Sequence, residues 1–156
     1  MRMNSEGIDV EVPQGWDGEI FRRNPRAARS GERDSEDTRP VLHMANFALP
    51  PTRGDFGSGA VELMRSENVL VVLFEYEPQA AGTALFSSTG VPQVNPQDFS
   101  PSSMQRPIDG QSGAQYFFNL EGRAFCLYIA LGSHARRNQL VPELNQVLRT
   151  LRLSSR

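Results

Sequence analysis

The chain has 156 residues and a formal net charge of −2, a length that suits one domain around one core. Its hydrophobic and charged fractions, 38% and 22%, are ordinary for a folded domain, and a slightly acidic chain offers no positive field to hold DNA or RNA. All 16 basic residues are arginine, which excludes a Schiff-base lysine, a P-loop lysine and a Ser-Lys dyad.

The opening alternation Ile8-Asp9-Val10-Glu11-Val12 marks a half-exposed strand. Residues 1–7 before it lack the apolar stretch of a signal peptide, and are expected to be a flexible end, as are residues 154–156. Pro13-Gln14-Gly15 turns the chain, and a second strand over 18–23 is expected to close a hairpin with the first. Residues 24–39 mix Arg26, Arg29, Arg33 and Arg39 with Glu32, Asp34, Glu36 and Asp37. Such a stretch buries too little to offset its ordering entropy and reads as a mobile charged loop.

Strand character returns over 41–49, with His43 and Asn46 embedded, and Pro50-Pro51 stops it. Residues 58–65 read as a short helix capped by Ser58, with Val61 and Met64 on one face. The unbroken apolar runs 69–74 and 124–131 fit strands covered on both faces. Between them, 78–113 is rich in proline, serine, glutamine and glycine, with Phe86, Val91, Val94, Phe99, Met104 and Ile108 as scattered apolar residues. It reads as a long ordered excursion, a kind of segment that often carries function.

Strands over 114–120 and 122–131 follow, joined tightly at Glu121-Gly122. Gly132-Ser133-His134 ends the sheet. Leu140, Leu144, Val147, Leu148 and Leu151 recur at three and four, an amphipathic helix over 138–149 that begins close to Pro142. Residues 150–153 read as an edge strand. Trp16, Leu70, Val72, Phe74, Phe125, Leu127, Ile129, Leu144 and Leu148 are the expected core, in one contact network.

The "strand, Pro, Gly, Trp" opening at 8–16 resembles the entry of the PsbP/Mog1-like superfamily. The final amphipathic helix and the edge strand at 148–153 look like that superfamily's ending. In detail the chain is similar to a group of small uncharacterised bacterial proteins, through residues 43–49, Arg53-Gly54-Asp55-Phe56-Gly57 and 126–136. The resemblance implies an α+β fold, a mainly antiparallel sheet sandwiched between helices in an α/β/α arrangement. It implies binding or assembly roles and brings no catalytic residue with it.

The chemistry-bearing residues are few. Arg53-Gly54-Asp55 spells the integrin-binding tripeptide, a coincidence in a chain read as cytoplasmic. The glycine-rich stretch 54–59 before a helix could hold an anion on backbone N–H groups, but no Walker pattern is present and Asp55 repels phosphate. His43 is read as packed within its strand. His134 stands with Arg136 and Arg137 at a strand end, where sites often gather. Glu75 and Glu77 flank Tyr76 and are expected on one strand face, as acid–base partners or as a solvated end. Cys126 cannot form an internal disulfide and reads as a small core hydrophobe. Two histidines and one buried thiol suggest no metal site, and nothing suggests a cofactor.

Two functions are carried forward. The first is a non-enzymatic protein-binding or assembly module, presenting Phe86, Phe99 and Met104 from the excursion to a protein partner. The second is a small hydrolase or transferase using His134 with Arg136 or Arg137 and Asp55, arginine serving as anion clamp. Neither a membrane span nor a nucleic-acid partner is expected. Convergence of Asp55 and His134 in one hollow separates the two functions.

Overall fold

The computed structural model describes residues 1–23 and 39–155. The charged stretch expected as a loop at 24–39 lies outside them, apart from Arg39, which is buried. Among the described residues, eight strands form two antiparallel sheets. The strands are β1 (Arg2–Ser5), β2 (Ile8–Glu11), β3 (Asp17–Arg22), β4 (Pro40–Ala45), β5 (Val69–Tyr76), β6 (Ser112–Leu120), β7 (Arg123–Leu131) and β8 (Arg152–Leu153). The small sheet runs β1-β2-β8 and the large one β3-β4-β5-β7-β6. The α-helix among the described residues is α1, Arg137–Leu148, 12 residues long.

This corrects the expected α/β/α sandwich, because the large sheet is not enclosed by helices. Its first face carries Leu42, Met44, Val71, Leu73, Leu127 and Ile129, and packs against α1 and the small sheet through Leu144, Leu148, Ile8 and Val10. Its second face carries Val41, Leu70, Val72, Phe74, Cys126 and Tyr128, and is closed by loop residues such as Phe47, Phe56, Val61 and Met104. The helix expected at 58–65 shrinks to a 3-10 turn at Val61–Leu63. Gly57 and Gly59 on its entry hold left-handed φ angles of 95° and 94°, which no α-helical turn accommodates. The excursion over 78–113 holds short 3-10 turns at Pro78–Gly82, Ala84–Phe86, Pro96–Asp98 and Pro101–Ser103. A proline starts three of them, and the spacing of proline and glycine stops each from propagating.

The two apolar runs are β5 and β7, and both are buried along almost their whole length. They pair with each other from Val69↔Leu131 to Tyr76↔Ala124, so each run feeds both faces by strand alternation. The expected core therefore divides: Leu70, Val72 and Phe74 lie on the second face, and Phe125, Leu127, Ile129, Leu144 and Leu148 on the first. Trp16 is half-buried at the margin of the first core.

The expected hairpin of β2 with β3 does not form. β2 pairs with β1 and β8, while β3 pairs with β4 in the other sheet, so the turn at Pro13–Trp16 carries the chain between sheets. The N-terminal residues, expected as a flexible end, supply β1. It turns into β2 through Glu6 and Gly7, with φ of 56° and 75°. Glu121 and Gly122, with φ of 55° and 76°, make the same two-residue turn between β6 and β7, the geometry that suits strand twist. In α1, Pro142 lies inside the helix rather than near its start. The carbonyl it leaves without a donor, that of Asn138, belongs to an exposed residue that water can serve.

Two polar clamps fix the layers. Arg123, at the start of β7, makes a two-point ion pair with Glu75 of β5 at 2.8 and 3.0 Å. It also donates to the carbonyls of Ser154 at 2.7 Å and Glu6 at 3.1 Å, tying the small sheet and the chain's end to the large sheet. Asn145 of α1 bonds both backbone groups of Val94, at 3.1 and 2.8 Å, which pins the excursion to the helix. Gly132 closes the other end. Its N–H donates to the Asn68 carbonyl at 2.8 Å, and a Cβ there would overlap the Arg65 carbonyl oxygen.

Candidate functional site

The segment between β4 and β5 helps to build a hollow that gathers two of the expected residues, Asp55 and Met104. Pro50-Pro51 and three glycines prevent regular structure here, yet Phe47, Leu49, Phe56 and Met64 pack down on the second face. Phe56 stacks on Phe74 with centroids 4.6 Å apart and meets Tyr128 edge-on at 5.9 Å. The Gly57 N–H donates to the Gly54 carbonyl at 3.0 Å, and the Gly54 N–H to that of Ser58 at 2.9 Å, so 54–58 is a tight, self-bonded loop.

His43 locks this loop to the sheet. The ring is 0% exposed. Arg53 Nε donates to its Nδ1 at 2.8 Å, so Nε2 carries the proton and donates to the Asp55 carbonyl at 2.7 Å. Arg53 also donates from Nη1 to the Pro50 carbonyl at 2.6 Å and from Nη2 to the Glu19 carboxylate. Burial, with help from the Arg53 charge, pushes the His43 pKa down to about 4. His43 is thus a neutral two-way hydrogen-bond bridge with both nitrogens occupied.

The lock leaves the Asp55 side chain at a hollow of about 240 Å³, whose walls include Phe56, Met104, Tyr128 and Gln105, with Ser58, Glu62 and Arg106 exposed around it. Tyr128 Oη accepts from the Gln105 N–H at 3.1 Å and reaches Met104 Sδ at 3.8 Å, so the wall is held from the sheet. Arg106 and Glu62 join across it at 2.7 Å. Burial raises the Asp55 pKa, and the charge of Arg23 opposes that rise. Arg23 makes its own contacts elsewhere: Nη2 donates to the Glu75 carbonyl at 3.3 Å and the guanidinium lies 4.3 Å from the Phe74 centroid. Among the described residues, no group hydrogen-bonds or ion-pairs with the Asp55 carboxylate.

The other expected site residues are dispersed. Phe86, Phe99 and Met104, expected as exposed contacts, are 4%, 5% and 7% exposed. Phe86 packs against Tyr76 and Phe117, Phe99 joins the first core and Met104 the second. They anchor the excursion, which also bridges to β6 at Thr89↔Asn119 and Ser100↔Gly113 and so caps that sheet edge. His134 stands at the junction of β7 and α1. Its N–H donates to the Gly110 carbonyl at 2.7 Å, its own carbonyl accepts from Arg137 Nη1 at 2.8 Å, and its Nδ1 is buried without a partner. Arg136 is exposed. None of His134, Arg136 and Arg137 lines the Asp55 hollow.

Glu75 is consumed by Arg123, while Glu77 lies beyond the end of β5 and is exposed, so the two acids share no site. Cys126 is buried, and desolvation pushes its thiol up to about 12, the state of an inert core residue. Among the described residues, no group of three or more His, Cys, Asp or Glu could hold a metal ion, and no helix is long and apolar enough to cross a membrane.

Sequence reasoning named Arg53, Asp55 and Met104 of this site and missed Phe56, Glu62, Gln105, Arg106 and Tyr128 as its walls. The signal within reach was Tyr128, a hydroxyl in an otherwise apolar two-faced strand, which must find a partner. Against family models, curated proteins and solved structures alike, the chain finds no match.

Proposed function

We propose that the chain is a non-enzymatic protein-binding module that receives its partner on the loop-covered face of the large sheet, at the Asp55 hollow. The observation that carries this reading is the closed lock of Glu19, Arg53, His43 and the Asp55 carbonyl. It spends a histidine and an arginine, the usual acid–base and anion-clamping groups, on holding a loop rigid. A pre-formed surface on a fixed scaffold is what recognition needs, since little ordering cost remains at binding. The hydrolase alternative requires His134, Arg136 or Arg137 and Asp55 around one reacting centre. His134 belongs to the strand–helix junction instead, so binding is the better supported reading.

Ser58 is exposed beside the hollow, so Ser58→Arg plugs it without disturbing the core. Chemical cross-linking in an extract of the native source, with wild type and variant side by side, tests the placement. The expected result is a partner cross-linked by the wild type and lost with Ser58→Arg at unchanged melting temperature. A partner held equally by both proteins overturns it.

A further inference from the structure

Resting on the binding reading above, we infer that the Asp55 hollow is a receptor for a basic side chain, an arginine or lysine presented by the partner protein. The geometry selects this chemistry. A carboxylate with no hydrogen-bond or ion-pair partner among the described residues stands in a hollow walled by Phe56, Met104 and Tyr128. A neutral apolar guest leaves that carboxylate without its water and without a partner, which is costly. An anionic guest adds like-charge repulsion. A guanidinium or ammonium supplies the missing donors, lays its methylene stem along the apolar walls, and finds an aromatic ring beside it.

The chain's own Arg106 shows that the rim accepts such a group: its largely exposed guanidinium ends on Glu62, 2.7 Å away. Arg106 occupies the outer acid and leaves the inner one free. The loop carrying Asp55 is held by the His43–Arg53 lock rather than by Asp55 itself. The Asp55 carboxylate therefore has no structural bond to give up when a cation arrives. The charge that acts on it is that of Arg23, while Glu62 and Arg106 stand around the hollow.

Titration of the folded protein with N-acetyl-arginine amide, N-acetyl-lysine amide and N-acetyl-norleucine amide, followed by backbone amide NMR shifts, tests the inference. One charge-assisted contact with a short apolar stem corresponds to an affinity on the order of 1 mM. Shifts are expected at Asp55, Phe56, Gly57 and Gln105 with the arginine and lysine amides. The norleucine amide should produce none at equal concentration. Asp55→Asn should weaken the arginine amide about tenfold, equivalent to about 1.4 kcal/mol, while Glu62→Gln should change it little.

Equal binding of norleucine amide overturns the inference, as do unchanged affinity in Asp55→Asn, shifts confined to other surfaces such as Trp16, and the absence of shifts at about 50 mM. Failure of the two readings is separable. A partner lost with Ser58→Arg but held normally by Asp55→Asn preserves the binding module and removes the cation. A partner indifferent to both removes the site.

Discussion

The two faces of the five-stranded sheet are closed by different covers. On the first face, α1 and the small sheet bring regular elements whose apolar residues recur at fixed periods, with the Arg123 and Asn145 clamps set among them. On the second face, loops settle on the sheet through a few aromatic anchors, and polar bonds decide where they lie: His43 to Asp55, Arg53 to Glu19, Tyr128 to Gln105. The first cover resists change because many apolar contacts act together. The second is specified residue by residue, which is what lets a carboxylate be placed in a hollow. The structural burden and the proposed recognition surface are thus separated by one layer of backbone.

The largest effect should come from the clamp on the first face. Arg123 and Glu75 side chains are 6% and 2% exposed. Arg123→Ala takes from the buried Glu75 carboxylate its two-point ion pair and should cost about 3–5 kcal/mol, read by chemical denaturation. The double variant Glu75→Leu/Arg123→Met removes both charges and should recover most of that loss. If Arg123→Ala melts like the wild type, the clamp does not join the sheets.

Next comes Leu127, in the centre of β7 on the first face. Leu127→Ala should cost about 2–5 kcal/mol, since the removed methyl groups leave a cavity that a regular cover cannot collapse to fill. The loss should appear as a uniform drop in amide protection across both sheets, because this core is shared by them. A loss confined to β7 itself would mean that the first face is not one cooperative unit.

The third prediction belongs to the second face and to pH. His43 has a folded pKa lowered from 6.5 to about 4. The unfolded chain therefore takes up a proton on acidification before the folded one does. His43 leaves stability intact above pH 6.5 and removes it progressively as the pH falls toward 4, by roughly 3 kcal/mol in all. His43→Asn, which cannot titrate, should be less stable at pH 7 and should lose this acid slope. An unchanged slope in the variant would assign the acid sensitivity to other groups.

The two covers also differ in how far they could be read from the residues alone. β5 and β7 were legible because length, β-branched content and the absence of polar alternation agree at 69–74 and 124–131. The turn at Glu121-Gly122 was legible because a run of strand character lay on each side. The same dipeptide at Glu6-Gly7 makes the same turn, but the flanking Arg2–Ser5 is too polar to announce a strand. Strand pairing was not legible: β2 and β3 are neighbours in sequence and belong to different sheets, a choice made by long-range burial.

On the second face almost nothing periodic exists to read. Arg53 and Asp55 drew attention as a motif. Their meaning comes from His43, ten residues earlier on a strand, and from Met104 to Arg106 on the excursion, none of which spacing connects. Phe86, Phe99 and Met104 looked exposed because proline- and serine-rich surroundings resemble a surface. In fact each such loop needs apolar anchors to stay folded, and these are the anchors. The helix at 58–65 was a periodicity that Gly57 and Gly59 outweighed.

The smallest effect offers the sharpest test of the contrast, because Leu127 and Tyr128 are adjacent and point to opposite faces. Tyr128→Phe keeps the ring that packs with Phe56 and removes only the hydroxyl, which holds the Gln105 N–H at 3.1 Å. That amide belongs to an exposed residue, so water can replace the lost acceptor, and the cost should be only about 0.5–1.5 kcal/mol. Global unfolding should hardly move. Hydrogen exchange at Gln105 should nonetheless quicken well beyond what that small cost produces elsewhere, because the Gln105 N–H is held by this bond and the β7 amides are held by the sheet. The arginine amide should bind more weakly as the hollow loses its fixed wall. If Tyr128→Phe instead lowers protection evenly through β5 and β7, the second cover is as cooperative as the first. The separation of a structural face from a recognition face would then have no physical basis.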